Sequence, residues 1–351
     1  MSSDAIIPST TAEVLAAGTH QRRRYVLSLV GLFALLILAA TVGMSIGAVS
    51  VPFGQVWSII WRHISQASTA PTDVGIDIII WQIRAPRVVL GALIGAGLAI
   101  IGVAVQAMVR NPLADPYVLG VESGAAAGAV AVIFFGGALG KGIISPAIGA
   151  FVGAILTLIL VFTLARQGGR VSSLRLLLVG VALSFALSGI TTFMQYATHD
   201  PAAQQAILFW LIGGLGGAQW AQIPLLAGVL AIAAVACWYY ARPLNALAVG
   251  DEAAMSFGLK PDQLRTRLFV ILSLVIAVAV SIVGPIGFIG LVVPHVALLL
   301  GGIYLVAVDV VSRWIFAPSE IPVGVLTAIL GTPFFIWLIR RREAMAIRDA
   351  R

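Results

Sequence analysis

Charged and nucleophilic side chains are scarce in this chain, so each is a candidate for chemistry. Glu122 and Asp309 stand within apolar runs, where an ionised carboxylate is costly and a functional role is the default expectation. Glu122 opens its run, in Gly-Val-Glu-Ser-Gly-Ala-Ala, where the free amides of a helix start would stabilise it. Asp309 has Arg313 four residues on, a spacing at which opposite charges meet on one helix face. Arg84, Arg87 and Arg313 border apolar runs. Their guanidinium groups suit two-pronged pairing with carboxylates, while snorkelling to lipid phosphate would also explain them. His20, His63, His199 and His295 are dispersed, so no metal-ligand spacing appears. Cys237 stands alone in an apolar run, which excludes a disulfide within the chain. Ser184, Ser188 and His295 supply no nucleophile and base in concert. Phe135 to Gly142 echoes a phosphate loop but lacks the first glycine and a Ser or Thr after Lys141. Covalent catalysis and nucleotide hydrolysis are therefore not expected of this chain.

The elements that hold these residues are membrane helices. Of 351 residues 60% are hydrophobic and 10% charged, with mean hydropathy +1.05, against about 25% charged in a soluble domain. Between Arg87 and Arg110 lie 22 residues without a charge, enough at about 1.5 Å each to cross a hydrocarbon layer roughly 30 Å thick. Gly91, Gly95, Gly97 and Gly102 mark that span as one that another helix approaches closely. Ten spans are expected, at Tyr25–Ile46, Val88–Val109, Tyr117–Phe135, Ala147–Ala165, Leu176–Tyr196, Ile223–Tyr240, Leu268–Val283, Ile286–Leu300, Ile303–Trp314 and Val323–Ile339. The eighth and ninth are crowded: Gly284 to Arg313 is 30 residues, whereas two spans and a turn need about 40 to 45. Either both helices are short or a loop is missing near Val296 to Leu300.

Basic residues set the orientation. With Arg22, Arg23 and Arg24 in the cytoplasm, 16 of 21 Lys and Arg fall on that side, against Arg62, Arg84, Arg87, Lys141 and Arg313 outside, as the positive-inside rule requires. Both termini are then cytoplasmic. No cleavable signal is evident, so the first span is expected to stay. The net charge of +7 is spread over such loops and does not imply nucleic acid. Outside, Val51 to Ile64 reads as an amphipathic helix along the interface and Pro201 to Gly217 as a short helix at the mouth. Inside, Arg242 to Arg267 is the longest connection. Asp251 and Glu252 start a helical turn, Gly258 ends it and Pro261 opens another.

One stretch carries a family resemblance. Arg-Ala-Pro-Arg (84–87) before a glycine-rich span, then Asn-Pro-Leu-Ala-Asp-Pro (111–116) and a start rich in small residues, resembles the permease subunits of ABC importers for iron chelates, haem and cobalamin, from about Tyr25 to Arg342. The resemblance implies an all-α type II permease fold of about ten spans in the bacterial inner membrane, forming a homodimer. It implies cytoplasmic tails 1–24 and 343–351 around one permease domain, 25–342. Arg84, Arg87 and Arg313 would dock acidic residues of a periplasmic binding protein. Asn111, Leu113, Ser172, Ser173 and Leu174 would form the cytoplasmic gate, beside a bland role in helix capping. Gly250, Asp251, Glu252, Ala253, Ala254, Phe257, Gly258 and Leu259 would couple to two separate ATPase subunits, which hold the ATP and Mg. This chain would carry no cofactor or metal of its own. Glu122 departs from the small polar residue usual in the family. The rival expectation is an ion-coupled secondary transporter with Glu122 or Asp309 as coupling acid.

Overall fold

The computed structural model describes residues 11–66, 73–111, 114–115, 120–139, 145–167, 170–171, 173–292, 297–315, 317 and 319–349. Among these the chain is helical, apart from one pairing of Arg166–Gln167 with Arg170–Val171. The helices are α1 (Thr11–Ser45), α2 (Phe53–Ser65), α3 (Val74–Ile78), α4 (Ala85–Val109), α5 (Val121–Leu139), α6 (Pro146–Ala165), α7 (Ser173–Ala197) and α8 (Pro201–Ile212). They continue as α9 (Ile223–Tyr239), α10 (Ala241–Val249), α11 (Asp251–Ser256), α12 (Pro261–Val283), α13 (Ile289–Val292), α14 (Ala297–Trp314) and α15 (Val323–Asp349). Among the described residues six helices are long and apolar enough to cross a membrane, and α5, α8 and the apolar part of α15 are shorter.

The bundle is built round α4. Leu90, Ile94, Leu98 and Ile101 are buried against a core shared with Leu268, Phe269 and Leu272 of α12. A Cβ on Gly95 would overlap the carbonyl of Gly301, so only glycine lets α4 and α14 touch backbone to backbone. By contrast α1, α7 and α9 leave most of their apolar surface uncovered, as helices facing lipid or another chain do.

The second expected span starts earlier than its charge pattern suggests. A wide π turn, Ile79–Arg84, joins α3 to α4 into one rod, Val74–Val109. That turn falls immediately before Pro86, which cannot donate a helical hydrogen bond. The crowded region also differs from expectation. Where two spans were anticipated between Ile286 and Trp314 there is one 18-residue helix, α14, preceded by the four-residue α13. Gly290 of α13 rests on Gly102 of α4, and the Gln106 amide donates to the Gly290 carbonyl at 3.0 Å. The chain thus leaves the outer end of α12 and reaches the depth of Gln106 with little helix, because too few residues are present for two. Val293 to Val296 lie outside the described residues.

The outer amphipathic helix is present as α2, with Val56 and Ile59 buried and Trp57 and Trp61 exposed. It is held down by Asp77, which pairs with Arg62 and lies 3.1 Å from His63 Nε2. The His63 ring stacks on Trp81, centroids 4.2 Å apart. His63 is thus engaged by a structural clamp.

Candidate functional site

Two arginine–carboxylate networks stand at opposite ends of α4. The outer one begins where α1 ends. A helix terminus leaves its last carbonyls without partners, and two arginines supply them. Arg84 donates to the carbonyls of Met44 (2.8 Å), Ser45 (3.1 Å) and Val49 (2.5 Å). Arg313 donates to Ile46 (2.9 Å) and Gly43 (2.8 Å). Cations at a helix C-terminus also complement its dipole.

Arg87 faces the carboxylates instead. Its Nε meets Asp309 Oδ1 at 2.7 Å, and a terminal nitrogen meets Glu320 Oε2 at 2.7 Å. Arg313 bonds the other oxygen of Asp309 at 3.1 Å. All three arginines and Asp309 are buried, Asp309 to 1% exposure, whereas Glu320 is 46% exposed. Three guanidinium groups and two carboxylates leave the cluster one positive charge in excess. It ties together α1, α4, α14 and the connection into α15, which Ile321 N fastens back on Ser312 O at 3.1 Å. The structure therefore brings the three expected docking arginines side by side but turns Arg84 and Arg313 inward.

Sequence reasoning paired Asp309 with Arg313 and missed its second partner, Arg87, and the whole role of Glu320. The missing signal lay in charge counting. Three outer arginines beside apolar spans need compensation, and Asp309 and Glu320 are the acids flanking Arg313.

Among the described residues, two cavities are lined by carboxylates. One of about 510 Å³ is lined by Arg87, Glu320, Trp210, Gly213 and Pro322. Another, of about 600 Å³, is lined by Asp115, Glu122, Ser123, Ser184 and Phe288. Glu122, in the first turn of α5, thus lines this second cavity.

The inner network, at the other end of α4, organises the long connection between α9 and α12. Gly250 and Gly258 bracket α11, and Gly258 has a φ of +74° that disfavours a side chain. Arg265, buried on α12, grips Asp251 with two nitrogens at 3.0 and 2.5 Å and places Nε 3.1 Å from the Met108 carbonyl of α4. Arg110, in a left-handed conformation after α4, approaches Asp251 at 3.8 Å. The Arg265 hydrogen bond is the largest cause holding the Asp251 carboxyl below the usual carboxylate range; its positive charge and that of Arg110 add to it. Ala254 is buried beneath this hairpin, while Phe257 stands out, 75% exposed. Of the expected coupling residues, Asp251 and Ala254 hold the hairpin and Phe257 projects from it. Arg265, which sequence reasoning passed over, joins it to α4.

The expected gate is only partly described. Asn111 follows α4, its amide 3.2 Å from the Gln106 carbonyl, and Leu174 is exposed on α7. Leu113 and Ser172 lie outside the described residues, as does the side chain of Ser173.

The fold and sequence match known proteins. The model of the FecCD transport family matches residues 35–341. The cobalamin import system permease protein BtuC of Halobacterium salinarum is 36% identical, over 96% of this chain and 95% of its own length. The hemin transport system permease protein HmuU of Yersinia pestis is 35% identical, over 89% of this chain and 95% of its own. A solved structure in an inward-facing conformation, assigned to a metal-chelate type ABC transporter, superposes with TM-score 0.71 at 30% identity, covering 89% of this chain and 98% of that one. With an all-helical fold, a family match across the bundle and relatives aligned over nearly their full length, this chain belongs to the FecCD transport family of membrane permeases.

Proposed function

We propose that the chain is the membrane-spanning subunit of an ATP-driven importer that takes an iron chelate, haem or cobalamin from a periplasmic binding protein to the cytoplasm. The observation that carries this reading is the inner network. A hairpin offering Phe257 outward and lashed by Arg265 to the end of α4 is what a helix bundle needs to receive movement from a separate motor. ATP and Mg belong to two such ATPase subunits. Gly250, Asp251, Glu252, Ala253, Ala254, Phe257, Gly258 and Leu259 form the docking knob, and movement passes through Arg265 to the turn after α4. That turn, with Asn111 and Leu113, closes the cytoplasmic gate together with Ser172, Ser173 and Leu174.

The pathway runs between two copies of the chain. Exposed apolar side chains on α7 and α15, among them Phe185, Phe193, Ile329 and Ile336, support that pairing. The distribution of basic residues supports cytoplasmic termini in an inner membrane, around a permease domain of residues 25–342. Outside, the binding protein docks over Arg84, Arg87 and Arg313, with Arg87 making the contact and the other two fixing its setting. Asp309, committed to two arginines, is structural and not a coupling acid.

Uptake into proteoliposomes tests the reading. The chain, its ATPase and a binding protein are supplied in turn with haem, a ferric siderophore and cobalamin. Accumulation of one ligand that requires ATP is expected. Accumulation driven by a proton or sodium gradient without ATP would assign the energy source to Glu122 in its cavity instead.

A further inference from the structure

We infer that Glu320 is an internal competitor for the carboxylate with which a docking binding protein engages Arg87. This rests on the docking reading above and adds what holds the site before the partner arrives. Within the outer cluster only Glu320 is free to leave. Asp309 is 1% exposed and serves Arg87 and Arg313 together, so its departure would strand two buried guanidinium groups. Arg84 and Arg313 hold the carbonyls at the end of α1, and releasing them would unfasten that helix. Glu320 is 46% exposed, sits on the connection between α14 and α15, and among the described residues makes one ion pair, to Arg87 at 2.7 Å.

When Glu320 swings into water it regains hydration, and the same nitrogen of Arg87 is freed toward the outer face. An incoming carboxylate that takes that nitrogen restores the charge of the cluster, so the exchange adds no uncompensated cation to it. Nothing else in the network has to move. Because Arg87 and Glu320 both line the 510 Å³ cavity, the exchange takes place in its wall. The competition lowers the apparent affinity for the partner by the fraction of time Arg87 is free.

The test uses the full chain in lipid nanodiscs, titrated with the binding protein that supports uptake in the proteoliposome assay. Glu320→Gln removes the competitor at a half-exposed position and is expected to tighten binding roughly two- to fivefold, the range set by a partly exposed ion pair. Glu320→Asp, which keeps the charge on a shorter arm, should fall between. Arg87→Lys keeps a cation but cannot span Asp309 and Glu320 at once; it should weaken binding, and in its background Glu320→Gln should change affinity less than about twofold. Unchanged or weaker binding by Glu320→Gln overturns the competitor role while leaving docking intact if Arg87→Lys still weakens binding. The same tightening in the Arg87→Lys background also overturns it, since simple repulsion of the partner would then suffice. Binding untouched by Arg87→Lys sinks the docking reading itself.

Discussion

The outer and inner networks use the same chemistry, arginine against carboxylate at an end of α4, yet they are built in opposite ways. Outside, partners come from far apart in the chain: Arg87 reaches Asp309 and Glu320 across 222 and 233 positions, and every arginine is buried. Inside, Asp251 and Arg265 are 14 positions apart; Arg265 too is buried, but the Asp251 side chain is 38% exposed. A buried pair costs several kcal/mol when one member is removed, because the other is left unsolvated; a half-exposed pair costs little, because water replaces the partner. The outer end is therefore built to stay put, with one releasable member, and the inner end is built to yield.

The contrast breaks first at Asp309. Asp309→Asn removes the charge that Arg87 and Arg313 share and should destabilise the bundle by roughly 3–5 kcal/mol, read as a large drop in thermal midpoint of the purified protein in detergent. A change as small as that of a surface pair would mean that the outer cluster is not the rigid end. Next comes Arg265→Gln, which leaves the Met108 carbonyl and Asp251 without their donor. An expected loss of about 1–3 kcal/mol should appear as faster hydrogen exchange in the 241–260 hairpin, with the outer half of the bundle unchanged.

The smallest effect is that of pH on the inner network. The folded-state carboxyl of Asp251 is held below its unfolded value by the Arg265 hydrogen bonds, so its contribution is fully present above about pH 4 and is lost as pH falls through the lowered value. A spin label at Ala253 should keep its mobility from neutral pH down to roughly pH 4 and loosen only below it. In Arg265→Gln the onset should move upward.

The same difference in range explains what could be read from sequence. The helices are legible because each is a long apolar run, and the α10–α11 hairpin because Asp251, Gly258 and Pro261 are local signals within one loop. The i,i+4 pair Asp309–Arg313 is legible for the same reason. Arg87–Asp309 and Arg87–Glu320 are not, since no local pattern tells which of several helices will lie beside α4. The two spans expected between Ile286 and Trp314 failed through length. Apart from Pro294, His295, Asp309 and Arg313 the stretch is uncharged and mostly apolar, and hydropathy alone cannot separate one helix and a short preceding segment from two helices. The early start of the second rod was hidden by Arg84, whose charge reads as a boundary until Met44, Ser45 and Val49 are seen to accept its hydrogen bonds.

The most direct test is the amount of cargo moved per ATP hydrolysed, compared between the wild-type chain and Arg265→Gln in proteoliposomes with the ATPase and binding protein. If the inner network passes the movement of the motor to α4, hydrolysis should persist in the variant while uptake per ATP falls by roughly an order of magnitude, the size of effect about 1.4 kcal/mol of lost coupling produces. An unchanged ratio, or uptake in the wild type that needs an ion gradient and no ATP, would contradict it.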